Sequence, residues 1–297
     1  MALPNGRELW VEREGHGEPL VLLAGGPAAS HVMFHPFMDR LTDTYEVIYV
    51  DYFGRGRSGR PTDWREITFM DDVEDIAGLI ETLGTGPVNL YAASYGGLVA
   101  QQLVLDRPEL VRSLMLVNTL HSPQMWLENH LNINREMANQ FPEIWDRIQA
   151  LHDAGVPSSD PRIQDLFKIA ASAVARFRDP SNAAQTTTEP GAFNKELYDV
   201  FTGGDIDFAL GGEVARIPDF RGRLATVTTP LMIVAGRYDR ALYPRLQAGF
   251  RQAAPQAEFV MLERSGSSAH VEQPDDLEGL IRRHFFGQAI AAAEDDR

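Results

Sequence analysis

The sequence predicts an α/β protein: a mostly parallel sheet flanked by helices, with a helical cap inserted into it. Three observations carry that reading. Short, continuous apolar runs alternate with helix-periodic segments from Pro19 to Asn118, the pattern of parallel strands joined by right-handed crossovers. The pattern gives way after His121 to helical stretches rich in Trp, Met, Asn and Gln, and it resumes after Leu224. One strand breaks into a helix through Ser94 and two glycines.

In order, Glu8 to Arg13 reads as a short edge strand, and Pro19 to Ala24 as a strand buried on both faces, because it carries no polar alternation. Gly25-Gly26-Pro27 then signals a loop. A helix is expected over His31 to Leu41 and a buried strand over Tyr45 to Asp51, closed by the segment FGRGRSG. Phe69 to Leu83 has apolar residues at helical spacing and stops at Gly84. Val88 to Ala92 is the next strand, Leu98 to Leu105 a helix, and Ser113 to Asn118 another strand. Beyond it, Val156 to Pro161 and the polar stretch Asp179 to Gly191 interrupt the helices, whose aromatics (Trp126, Phe141, Trp145, Phe167, Phe177) read mainly as core. Pro230 to Ala235 and Glu258 to Leu262 are strands; Pro244 to Ala253 and Asp275 to Phe286 are helices. The expected division is a core of residues 1–120 and 225–297 and a cap of residues 121–224, inserted after the fifth or sixth strand.

Composition narrows the function. With 27 Lys and Arg against 42 Asp and Glu the net charge is −15, so nucleic acid and anionic membrane are not expected partners, since phosphate binding needs a positive footprint. The absence of Cys removes disulfides, thiolate catalysis and Cys-ligated metals. No signal peptide is visible at the N-terminus, and no apolar run approaches the roughly 20 residues that span a bilayer. The expectation is a cytoplasmic monomer or small homo-oligomer acting on a small-molecule substrate. Eight scattered His without a paired metal motif predict no metal. GRGRSG (Gly54 to Gly59) satisfies a dinucleotide pattern, but Pro61-Thr62-Asp63 follow instead of a helix. No cofactor is expected.

The stretch from Val88 to Ala100 is the chemical centre. A strand turning into a helix through small-x-Ser-x-Gly presents the Ser hydroxyl at the strand's carboxyl end on a strained backbone, the nucleophile elbow of the α/β-hydrolase fold. Ala92 and Gly96 are the small residues two before and two after Ser94. A Ser nucleophile needs a base, and the base an orienting carboxylate. Asp239, after the strand ending in MIVAG, stands where that acid belongs. The backbone N–H groups of Tyr95 and Gly26, with Gly25 beside it, are the expected oxyanion donors.

AGGPAAS (Ala24 to Ser30), YVDYFGRGRSGRP (Tyr49 to Pro61), SYGG (Ser94 to Gly97), AGRYD (Ala235 to Asp239) and the run Pro218 to Gly236 together resemble the proline iminopeptidase-like branch of the α/β-hydrolases. That resemblance implies an amide- or ester-cleaving serine hydrolase with a cap, whose triad closes in a segment like S-G-H-x-x-H-x-E-x-P. Laid over ERSGSSAHVEQP without a gap, the triad His falls on Ser267 and a second, non-catalytic His on His270. Two readings stay open: a rearranged loop that brings His270 to Ser94, or a chain with Ser267 where the base belongs. The ungapped alignment favours the second. It would be a hydrolase crippled at one position, or a member doing lyase, cyclisation, thioesterase-like or purely ligand-binding work. His121 is a further candidate base. The resemblance also implies carboxylates that hold a substrate amine; one of those positions is Asp207, and the other is Arg240. An ammonium should therefore bind poorly and a carboxylate or zwitterion better, unless Asp207 and Arg240 simply pair.

Overall fold

The computed structural model describes residues 1–186 and 189–295; Thr187 and Thr188 of the predicted polar stretch lie outside them. Seven strands form one sheet in the order β1-β3-β2-β4-β5-β6-β7. They are β1 (Val11–Gly15), β2 (Glu18–Leu23), β3 (Tyr45–Val50), β4 (Val88–Ala93), β5 (Val111–Val117), β6 (Leu231–Gly236) and β7 (Glu258–Leu262). Only β1 runs antiparallel, against β3; every other pairing is parallel. Every residue of β4 and β6 is buried, as expected of strands covered on both faces. Helices α1 (Phe69–Leu83) and α2 (Tyr95–Asp106) flank the sheet, and α1 begins with a reciprocal capping box between Thr68 and Asp71.

After β5, at the fifth strand, the chain runs through α3 (Pro123–Gln140), α4 (Pro142–Asp153), α5 (Pro161–Arg176) and α6 (Lys195–Thr202) before β6 begins. Ile133, Met137, Ile148, Ile163 and Leu166 form their own cluster, joined by Ala241 from the turn after β6. Phe141, Trp145 and Phe167 pack against this cluster, whereas Trp126 is buried in the main core. The short α7 (Pro244–Gln247) and α8 (Phe250–Ala253) precede β7; α9 (Ala269–Glu272) and α10 (Pro274–Asp295) follow it.

Three elements differ from expectation. Residues 31–41 form two short 3-10 turns, His31–Phe34 and Asp39–Leu41, instead of a helix. Pro36 lacks an N–H and disfavours helical backbone before it, and His35 is indeed extended (φ −81°, ψ 143°). The edge strand starts at Val11 because Leu9 donates to the Met1 carbonyl in a separate N-terminal turn. The helix expected over Pro244 to Ala253 is two short ones, with Gly249 between them. No helix is long and apolar enough to cross a membrane among the described residues.

Candidate active site

Ser94 sits between β4 and α2 at φ 48°, ψ −115°. A non-glycine residue held there costs about 1–3 kcal/mol, so the surroundings must over-determine it, and they do. The Ser94 N–H donates to the Val117 carbonyl (3.1 Å), and its own carbonyl accepts from the Gly97 N–H (3.0 Å) and the Thr119 hydroxyl (2.6 Å). The glycines explain themselves by contact. A Cβ on Gly96 would lie 2.4 Å from the Leu23 carbonyl oxygen, and one on Gly97 2.1 Å from the Thr119 hydroxyl. Strand and helix can cross this closely only without side chains.

The loop after β2 faces the same point. A Cβ on Gly25 would fall 3.1 Å from the Ser94 Cβ, and Gly26 takes φ 54°. Neither the Gly26 nor the Tyr95 backbone N–H donates to a backbone group among the described residues. From the helical segment, Asn194 N–H donates to the Ala28 carbonyl (2.9 Å) and Ser30 N–H to the Ala192 carbonyl (3.0 Å). This antiparallel clasp sets the half-exposed Phe193 ring against Gly26.

Beneath the loop lies a buried ion pair that sequence reasoning missed. Arg55 grips both oxygens of Asp72 (2.8 and 2.7 Å) and donates to the Pro27 carbonyl (2.7 Å); the Tyr95 hydroxyl donates to Asp72 (2.6 Å). Both charged groups are fully buried. Burial pushes Asp72 up to about 6, although Arg55 and the Tyr95 hydroxyl pull the other way. One network therefore ties the glycine loop to the residue after Ser94. GRGRSG wraps Asp51 rather than a dinucleotide: the Asp51 carboxylate accepts from the His31 and Arg57 N–H groups, and a Cβ on Gly56 would strike it at 2.0 Å.

On the other side of the sheet's carboxyl edge, Asp239 is buried in the turn after β6. Its Oδ1 accepts from the Ala241 and Leu242 N–H groups (3.0 and 2.7 Å), and its Oδ2 from Asn118 Nδ2 (3.2 Å). The Ser267 side chain lies beside the same carboxylate and favours its charged form. Burial pushes Asp239 up to about 6 against these donors. Asn118, whose own φ is 44°, directly follows the Val117 carbonyl that holds Ser94, so it links the two sides. Sequence reasoning placed Asn118 at this edge without a role. The Ser267 loop is fixed by its N–H on the Arg176 carbonyl (2.8 Å) and by Glu272, which accepts from the Gly266, Arg178 and Asp179 N–H groups.

His270 is not beside Asp239. It lies in α9, its ring edge-on to Phe37 (centroids 5.3 Å apart), lining a small cavity with Met38, Leu41, Leu277 and Ile281. Burial pulls it down to about 4. A helical turn starting at Ala269 carries its side chain away from the loop that holds Ser267. His121 is also turned aside: Nδ1 meets the Ser122 hydroxyl (3.1 Å), the ring packs on Phe250, and burial with help from Arg221 pulls it to about 4. Asp207 and Arg240 are given different neighbours: Asp207 meets His130 Nδ1 (3.3 Å), and Arg240 approaches Glu136 (4.0 Å).

Residues 18–274 match the family model for the alpha/beta hydrolase fold. The chain belongs to that family. This hydrolase-fold chain is 23% identical over 274 residues to a proline iminopeptidase of Heyndrickxia coagulans, covering 91% of each. It is 27% identical over 286 residues to a pimeloyl-[acyl-carrier protein] methyl ester esterase of Yersinia pseudotuberculosis, covering 93% of this chain and 96% of the other. Its fold superposes on the crystal structure of a proline iminopeptidase from Mycobacterium smegmatis with a TM-score of 0.77 at 20% identity, over 98% of this chain and 99% of that one. The expected resemblance to proline iminopeptidases is thus met, alongside esterase relatives.

Proposed function

We propose that this chain binds a small ester or amide at Ser94 and is a serine hydrolase short of its general base. Ser94 attacks the carbonyl carbon, and the Gly26 and Tyr95 N–H groups receive the oxygen that becomes negative in the tetrahedral intermediate. Asp239 is the acid that would orient an imidazole. The observation that carries the reading is that Ser267 is the side chain placed beside the Asp239 carboxylate, with both alternative histidines turned elsewhere. A hydroxyl of high pKa cannot accept the Ser94 proton, so attack lacks the step that positioned general bases accelerate about 10²–10⁴-fold. Binding and oxyanion stabilisation do not depend on that base.

For the substrate, the relatives named as peptidase and as methyl ester esterase support acyl transfer in general. Arg240 stands where the resemblance expects an acid, so one carboxylate that would hold a substrate ammonium is missing from this reading.

The test is labelling with a fluorophosphonate in the wild type and in Ser267→His, read by intact mass. The expected result is slow or absent labelling of the wild type and stoichiometric labelling of Ser267→His, lost again in Ser94→Ala/Ser267→His. Rapid stoichiometric labelling of the wild type, or no gain in a folded Ser267→His, would overturn the proposal.

A further inference from the structure

Away from Ser94, the structure gathers three potential metal ligands that the sequence scatters. One nitrogen each of His31 and His35 and a carboxylate oxygen of Glu12 all lie within 4.8 Å of one another. Glu12 stands on β1, opposite Tyr49 of β3. His31 is buried in the turn after β2, and His35 follows it, half-buried.

Each ring gives one nitrogen to a carboxylate. A metal-bound imidazole almost always gives its other nitrogen to a carboxylate or carbonyl, which fixes the tautomer and the aim of the ring. Here His31 Nδ1 meets Asp51 Oδ1 (2.8 Å) and His35 Nδ1 meets Asp39 Oδ1 (2.7 Å). Those partners are held in turn: Asp39 accepts from the Tyr49 hydroxyl (2.9 Å), and Asp51 from two backbone N–H groups. Aromatic faces set the ring planes, Trp10 against His31 (centroids 4.0 Å apart) and Tyr49 stacked on His35 (4.2 Å). With each Nδ1 taken, Nε2 is the nitrogen left to coordinate. Glu12 makes no hydrogen bond to either ring among the described residues.

We propose that Glu12, His31 and His35 form a binding site for a divalent metal of the zinc type. Two imidazoles and one carboxylate are a nitrogen-rich, borderline-soft set that suits zinc over magnesium or calcium. Three protein ligands leave the fourth tetrahedral position to water, and the half-buried setting admits it. At Zn–N and Zn–O lengths near 2.0–2.1 Å, ligand atoms sit about 3.3 Å apart; Glu12, on a flexible side chain at the sheet edge, closes that gap. The metal would tie the edge strand to the segment that continues from Gly25-Gly26.

The test is calorimetric titration of zinc chloride into the untagged, metal-free full-length protein, with cobalt(II) absorption as a second readout. One zinc per chain and a tetrahedral cobalt spectrum are expected. Glu12→Gln and His35→Ala should each weaken zinc binding by tenfold or more and abolish the cobalt spectrum, and Glu12→Gln should keep the wild-type melting temperature in chelator. His16→Ala, at an exposed histidine, should bind as the wild type does. No stoichiometric uptake, or uptake equally strong in Glu12→Gln and His35→Ala, would overturn the site.

Discussion

The two sides of the Ser94 site are built to different degrees of completion. On the side of β2 and β4, a strained serine, glycines that permit backbone contact and a buried Arg55–Asp72–Tyr95 network hold the Ser94 turn against the glycine loop. On the side of β6 and β7, Asp239 has its backbone donors and Asn118, and the side chain beside it is Ser267 and not an imidazole. The contrast teaches that the two halves are held by separate sets of contacts. The half that carries the Gly26 and Tyr95 N–H groups is held from beneath by a salt bridge, and the half that carries Asp239 from the backbone of residues 241–242.

The largest expected effect sharpens that contrast as a double-mutant cycle. If Asp239 serves only through an imidazole, Asp239→Asn in the Ser267→His background should lower ester turnover by about 10⁴-fold, as loss of the orienting acid does in a complete triad. In the wild type the same change should alter turnover by less than about threefold, because no imidazole is there to be oriented. Equal losses in both backgrounds would show that Asp239 acts on its own.

Next comes the other side. Asp72→Asn leaves the fully buried Arg55 without its counter-charge, and breaking a buried pair in this way costs about 3–5 kcal/mol. Urea unfolding should report that loss, and the Ser267→His/Asp72→Asn protein should label more slowly than Ser267→His alone. An unchanged urea midpoint would mean that the network does not hold the loop.

A smaller effect concerns pH. His270 is held near 4 in the fold, below its ordinary value of 6.5, so the unfolded chain binds the proton first as pH falls. Its contribution to stability is complete above about 6.5 and is lost as pH falls through about 4. Asp72 and Asp239, raised to about 6, run the opposite way: the folded form keeps their protons longer, and that contribution fades as pH rises through about 6. His270→Leu should therefore gain stability relative to the wild type between pH 6.5 and 4.5 in urea melts. Parallel pH profiles would contradict a buried, neutral ring. A histidine engaged with Asp239 would instead have its charged form favoured.

Much of this was legible in the sequence, for identifiable reasons. Buried parallel strands announce themselves as apolar runs, so β2, β3, β4, β6 and β7 fall within a residue or so of expectation. The Ser94 turn was legible because the contact between strand and helix restricts residue type at Gly96. The segment 31–41 misled because its apolar spacing is helical while Pro36 forbids the helix. Arg55 and Asp72 were illegible as partners, since isolated charges in a loop and on a helix look like solvated residues until the fold buries them together. Glu12, His31 and His35 escaped for a related reason: their convergence depends on β1 folding back antiparallel on β3.

The most direct test of the proposal that the general base is missing is chemical rescue. Added imidazole should accelerate p-nitrophenyl ester hydrolysis by the wild type, with saturation, beyond the background measured with Ser94→Ala. It should do little for Ser267→His, which carries its own ring. A wild-type rate that is indifferent to imidazole while Ser94 already turns over ester at the rate of Ser267→His would contradict the account.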